Sequence, residues 1–177
     1  MGKYLAALPV MLFPYSLLAA IACLYSPQIM ETVFGNNGYL LLLSVLAFGL
    51  LAWLFALALA IYLLLKKRIA LQTAKLAMIV KLVQIPAYAA IFILGLAFSL
   101  TIFGIGFVAF FFIADCITIV MTGLIGTAAS VRAYLTGQLP LKRAILFALL
   151  QFVFVVDIAA AIAQYCILHT TAKQAVA

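Results

Sequence analysis

Two acids stand inside long apolar stretches, Asp115 and Asp157, and theirs is the chemistry the sequence raises first. A carboxylate in hydrocarbon costs roughly 2.5–3.5 kcal/mol on insertion scales, so such groups face a bundle interior or a wet cavity. At about 1.5 Å per helical residue, Asp157 lies roughly 20 Å beyond Arg143, and Asp115 roughly 25 Å beyond Arg132. If spans cross the bilayer in turn, both acids fall near mid-membrane at similar depth. Two like charges close together in a poorly solvated site do not both ionise at neutral pH and titrate as a unit. The chemistry open to them is binding and release of a proton, or coordination of a cation.

Their helical neighbours extend the site. Asp115, Thr118, Thr122 and Gly126 share one helix face, and Ser130 continues it. Gly123, Gly126, Ser130 and Gly95 are candidate packing positions, because small residues let helices approach closely in lipid. Asp157, Ala160, Ala161 and Gln164 form a second stripe, and Lys81, Gln84, Tyr88, Gly95 and Ser99 a third. Turned inward, the stripes give a polar site of Asp115, Asp157, Gln84, Tyr88, Thr118, Thr122 and Gln164. The bland alternative is that the same groups only hydrogen-bond the helices together. A Lys81–Asp pair is not expected, since the count puts Lys81 about 12 Å nearer the inner face. Only a water chain or a helix break near Pro86 would close that gap.

The elements that position these residues follow from composition. Of 177 residues, 71% are hydrophobic and 7% charged, with mean hydropathy +1.41. A soluble domain is about a quarter charged, so this chain needs the bilayer as solvent. The expectation is an all-α integral membrane protein, one domain over 1–177. Its bundle has about five transmembrane helices near 5–24, 39–65, 78–99, 105–131 and 144–168. The first apolar stretch has a rival reading as a signal peptide, since Ala20-Ile21-Ala22 resembles a cleavage site and Cys23 follows it. The stretch is long for a signal core, so a retained span is expected. The segment from Ser26 to Gly38 is expected to be a loop, and Ile69 to Gln84 to begin as an interfacial helix and continue into the third span.

Net charge is +7. The basic residues sit at the ends of apolar runs, a positive-inside pattern that points to anionic headgroups on the cytoplasmic face and not to nucleic acid. With five spans and the amino terminus cytoplasmic, Lys173 alone of the ten basic residues falls outside, together with Glu31. Cys23, Cys116 and Cys166 are scattered, and no metal-ligand spacing, cofactor motif or phosphate loop is present.

The stretches Lys81-Leu82-Val83-Gln84-Ile85-Pro86-Ala87-Tyr88, Phe112-Ile113-Ala114-Asp115-Cys116 and Gly123-Leu124-Ile125-Gly126, with Leu150-Gln151-Phe152 and Asp157, carry a resemblance. They look like a bacterial family of small multi-pass membrane proteins of unknown function. The resemblance covers about the last two-thirds of the chain. It implies a bacterial cytoplasmic membrane and no particular activity.

Two functions are therefore carried forward. One is proton- or cation-linked transport of a small solute past Asp115 and Asp157. The other is a non-catalytic accessory or immunity-type protein that binds a protein partner, or a second copy of itself, through its small-residue faces. A membrane enzyme acting on lipid is the least favoured, with only carboxyls and hydroxyls for acid–base work.

Overall fold

In hydrocarbon, backbone N–H and C=O groups have no water to bond, so long apolar segments close their hydrogen bonds internally as helices. A computed structural model describes residues 2–65, 70–101 and 104–174. The basic triplet Lys66-Lys67-Arg68, expected to stop the second span, lies outside the described residues. The described chain is all-helical: α1 (Gly2–Leu24), α2 (Pro27–Phe34), α3 (Gly38–Leu65), α4 (Ala70–Ser99), α5 (Ile105–Leu135), α6 (Leu141–Leu150) and α7 (Val156–Gln174). Four of them, α1, α3, α4 and α5, are long and apolar enough to cross a membrane.

Segment 26–38 is not a plain loop. Pro27 supplies a preset first helical residue for α2, which ends on Gly35 at φ 56°. Asn37 then starts α3, its side-chain oxygen accepting from the Tyr39 N–H at 2.9 Å. Helix α4 runs unbroken from Ala70 past Pro86, so the stretch that opens it continues into the third span.

Prolines shape how α1 and α4 meet. Pro14 has no N–H to donate to Val10, four residues back. The freed Val10 carbonyl accepts from Gln84 Nε2 at 2.7 Å. In return, Tyr15 donates its hydroxyl to the Val83 carbonyl, in the turn before Pro86, at 2.6 Å. Gln84 thus repairs the defect that Pro14 leaves in α1, and Tyr15 adds a second bond between the two helices. With Ala7, Val10 and Phe13 buried against α3, α4 and α5, α1 belongs to the core. The α3 helix is peripheral: 17% of its most apolar window is buried, against 44% for α5.

The largest departure is at 144–168, expected to be one continuous span. Helix α6 ends at Leu150, residues 151–155 are non-helical, and Val155 has a left-handed φ of 66°, which is uncommon for a β-branched residue. Helix α7 then turns back. Its start meets Lys81 of α4, which also contacts Thr122 of α5. Further along, Gln164 reaches Ser130 of α5, and Leu168 joins an apolar cluster with Ala70, Ala74, Ala129 and Ala133. So α7 runs alongside α5 in the same direction and against α4. The α6–α7 unit is a helical hairpin whose tip lies at mid-height of α5, and Lys173 returns to the end that holds Arg132, Lys142 and Arg143. Alternation of five continuous spans had put it at the opposite end.

The expected outcome for single cysteines at Gln138 and Lys173, in a background with Cys23, Cys116 and Cys166 replaced, is labelling by a membrane-impermeant maleimide from one and the same side. Labelling from opposite sides would restore the continuous fifth span.

Candidate functional site

A break in a membrane-embedded helix leaves backbone groups that must find partners. At the hairpin tip the Gln151 carbonyl accepts from Lys81 Nζ at 3.3 Å. The same ammonium donates to Asp157 Oδ2 at 2.5 Å and to Thr122 Oγ1 at 3.4 Å. An ammonium has three protons to place, and each has an acceptor here. Lys81 is 1% exposed and Asp157 4%. The charges also match the helix ends: the cation sits on the last carbonyls of α6, and the anion in the first turn of α7, where the dipole favours negative charge.

The site needs two glycines on α5. A β-carbon at Gly126 would collide with the Gln151 carboxamide, and one at Gly123 would come within 2.6 Å of the Phe152 ring. Below the ion pair, Gln151 Nε2 donates to Gln164 Oε1 at 3.4 Å, and the Ser130 hydroxyl lies 3.3 Å from the same oxygen. Residues Phe152 to Val156 of the tip are exposed, Phe152 with one side of its ring on Gly123, while Gln151 and Asp157 are buried.

The expected residues therefore divide into groups. Asp157, Thr122 and Gln164 join one network, with Ser130, Gly123 and Gly126 around it. Thr118 and Asp115, with Tyr88, form a second level, about 6 and 10 Å from Thr122 toward the Ile105 end of α5 at 1.5 Å per residue. Tyr88 sits beside Thr118, within electrostatic reach of both carboxylates, and packs edge-on against Phe154, centroids 6.5 Å apart. Its hydroxyl and Asp115 Oδ1 are buried, with no hydrogen-bond partner among the described residues. Gln84 is not in the site; it faces α1 through Val10. Gly95 is not a packing position, since a β-carbon there meets nothing within 4 Å. Asp115 and Asp157 do not share a depth, and the basis for their titrating as a pair lapses, because Asp157 faces an ammonium instead of a second acid.

The Lys81–Asp157 pair overturns the estimate of a 12 Å gap. That distance assumed a helix still climbing at Asp157. The chain instead turns over at 151–155, so Asp157 descends to the level of Lys81, with no break near Pro86. Lys81, Gln151 and the left-handed Val155 were not named as site residues. A signal was present in Lys173, the one basic residue out of place in a five-span arrangement; turning the last segment back brings it to the basic end.

The fold and site define a helical bundle with four helices able to cross a membrane and a hairpin, α6–α7, pinned by a buried ion pair. No protein family, curated protein or solved structure matches the chain. Among the described residues no group of three metal-ligating side chains occurs.

Two stability outcomes follow. Lys81→Met and Asp157→Leu should each destabilise the protein by about 3–5 kcal/mol, because each strands a buried charge, whereas the double variant should recover most of that loss. Thermal unfolding of the three variants in one detergent checks this; additive losses would mean the two groups do not interact. Gly126→Ala should lower the unfolding temperature clearly, while Gly95→Ala should leave it unchanged or raise it, as alanine is the better helix former. Equal behaviour of the two alanines would count against the close approach of Gln151.

Proposed function

We propose that this is a bacterial cytoplasmic-membrane protein that carries protons or small cations, using the Lys81–Asp157 pair as its exchange site. In this reading four spans and one re-entrant hairpin place both α1's start and α7's end in the cytoplasm. Lys75, Arg132, Lys142, Arg143 and Lys173 then all lie in the cytoplasmic half, toward anionic headgroups, and Lys81 lies at the midplane on its acid. The likeness to an uncharacterised bacterial family belongs to the same proposal and adds no activity to it.

The observation that carries the reading is an ion pair buried at an unwound segment near the middle of the bundle. Broken helices at this depth are where many secondary transporters bind coupling ions. Intramembrane ionisable groups mark ion pathways by default. The chemistry would run through Asp157. A proton taken by its free oxygen lone pairs removes the negative charge that holds Lys81. The ammonium is then left buried beside neutral acceptors, and docking of the hairpin weakens. Loss of the proton to the other side restores the pair. Above it, Thr118, Tyr88 and Asp115 supply hydroxyl and carboxyl groups in sequence, two of them with unpartnered buried oxygens.

One observation favours the second reading, an accessory or immunity-type protein. All three ammonium protons are satisfied, as in a static lock. Against it, Gly123 and Gly126 are already occupied by Gln151 and Phe152, which removes the small-residue face such a partner was to use.

Proteoliposomes with a trapped pH dye and an imposed potassium diffusion potential separate the two. The wild-type chain should acidify the lumen faster than protein-free vesicles. The double variant Lys81→Met/Asp157→Leu should stay folded and fall to the protein-free rate. Wild-type flux at the protein-free rate, or undiminished flux in the double variant, would end the transport reading.

A further inference from the structure

A groove of about 480 Å³ opens between α4 and α5 above the ion pair, with Asp115 in its wall. That volume is in the range of sites for drug-sized molecules. Phe92, Phe112, Phe152 and Phe154 line it and are themselves exposed on the outer surface of the bundle. In a bilayer this surface meets lipid, so the groove is reached sideways from the membrane. Gly95 keeps it open, since nothing stands within 4 Å of where its β-carbon would be.

We infer that this groove binds a lipophilic organic cation, an amphiphilic ammonium or phosphonium ion that enters from the bilayer and places its charge on Asp115. The inference rests on the transport reading only for the ligand's fate, and names its substrate class; binding itself stands apart.

Charge and lining select this occupant. Asp115 is the only charged residue of the wall. Its Oδ1 is buried without a partner among the described residues, and the nearest cation on α4, Lys81, is committed to Asp157. A single carboxylate suits a single positive charge. An inorganic ion stripped of water would find only Asp115 and Ser99 as side-chain oxygen ligands in a hydrocarbon wall, too few for a hard cation. An organic cation needs no such shell: aromatic faces attract its charge and the apolar wall takes its substituents. Two other apolar pockets of the bundle, one lined by Leu17, Leu41 and Phe107 and one by Phe13, Trp53 and Ile117, contain no charged residue. They offer nothing to distinguish a cation from any other apolar solute. Phe152 and Phe154 belong both to the groove and to the hairpin tip, and Phe154 packs on Tyr88. A bound cation would therefore press on the segment that presents Asp157 to Lys81.

The test uses the purified full chain and radiolabelled tetraphenylphosphonium in equilibrium dialysis. Saturable binding near one per chain is expected, displaced poorly by neutral triphenylphosphine oxide. Asp115→Asn should weaken it about tenfold or more, the loss of one charge-assisted contact. Gly95→Leu should block it by filling the groove while leaving the acid in place; it carries the test if the asparagine variant fails to fold. Absence of saturable binding, undiminished binding in the folded variants, or equal displacement by the neutral compound would overturn the inference. Binding without proton flux in vesicles would leave the groove standing and end the transport reading; flux without binding would do the reverse.

Discussion

An interrupted helix in hydrocarbon must account for every backbone group it releases, and in this protein Lys81 does so. The lysine bonds the last carbonyl of the rising helix and the first-turn acid of the descending one, so one side chain closes both halves of the hairpin. Other features are arranged around that contact. Gly123 and Gly126 clear space for the tip, Thr122 takes the third proton, and Gln164 ties the descending helix to the rising one and lies beside Ser130 of α5. A buried ion pair of this kind is weak evidence for stability, since apolar residues of similar volume often serve as well or better. Here it sits at a non-helical segment whose Val155 takes a left-handed backbone.

Much of the bundle was legible because bilayer physics leaves few options. The ends of α3 and the start of α5 fall where apolar runs begin and stop. The hidden part was the turn at 151–155. Its residues, Gln151-Phe152-Val153-Phe154-Val155, contain no glycine or proline to mark it. Aromatic and β-branched residues are mediocre helix formers, which permits a break without locating one. What locates it stands on another helix, in the glycines of α5 and in Lys81. Both glycines were recognised as sites of close approach, but nothing local to them says that a turn, and not a straight helix, would fill the notch.

The candidate site changed for the same reason. Depth counted along the chain is reliable while a helix keeps climbing, as for Asp115 on unbroken α5. It fails once the chain reverses, and Asp157 was assigned a height it never reaches. Two acids expected side by side became two levels of one polar column, joined by Thr118 and Tyr88. Gln84 left the site because Pro14, on a helix far away in sequence, exposed a carbonyl that needed a donor.

The reversal at 151–155 also bears on the order in which the chain is assembled. Helices α1, α3, α4 and α5 are each long and apolar enough to cross a membrane. The α6–α7 unit is not of that kind: it has half-length geometry, a lysine-dependent carbonyl and an acid with no counter-charge of its own. It cannot rest in lipid ahead of the others, because its polar atoms find their partners only on completed α4 and α5. The last quarter of the chain is thus a late-docking insert whose entry waits on the groove being built. A ribosome-released chain stalled before that step would present a bundle already inserted but still lacking its charged centre.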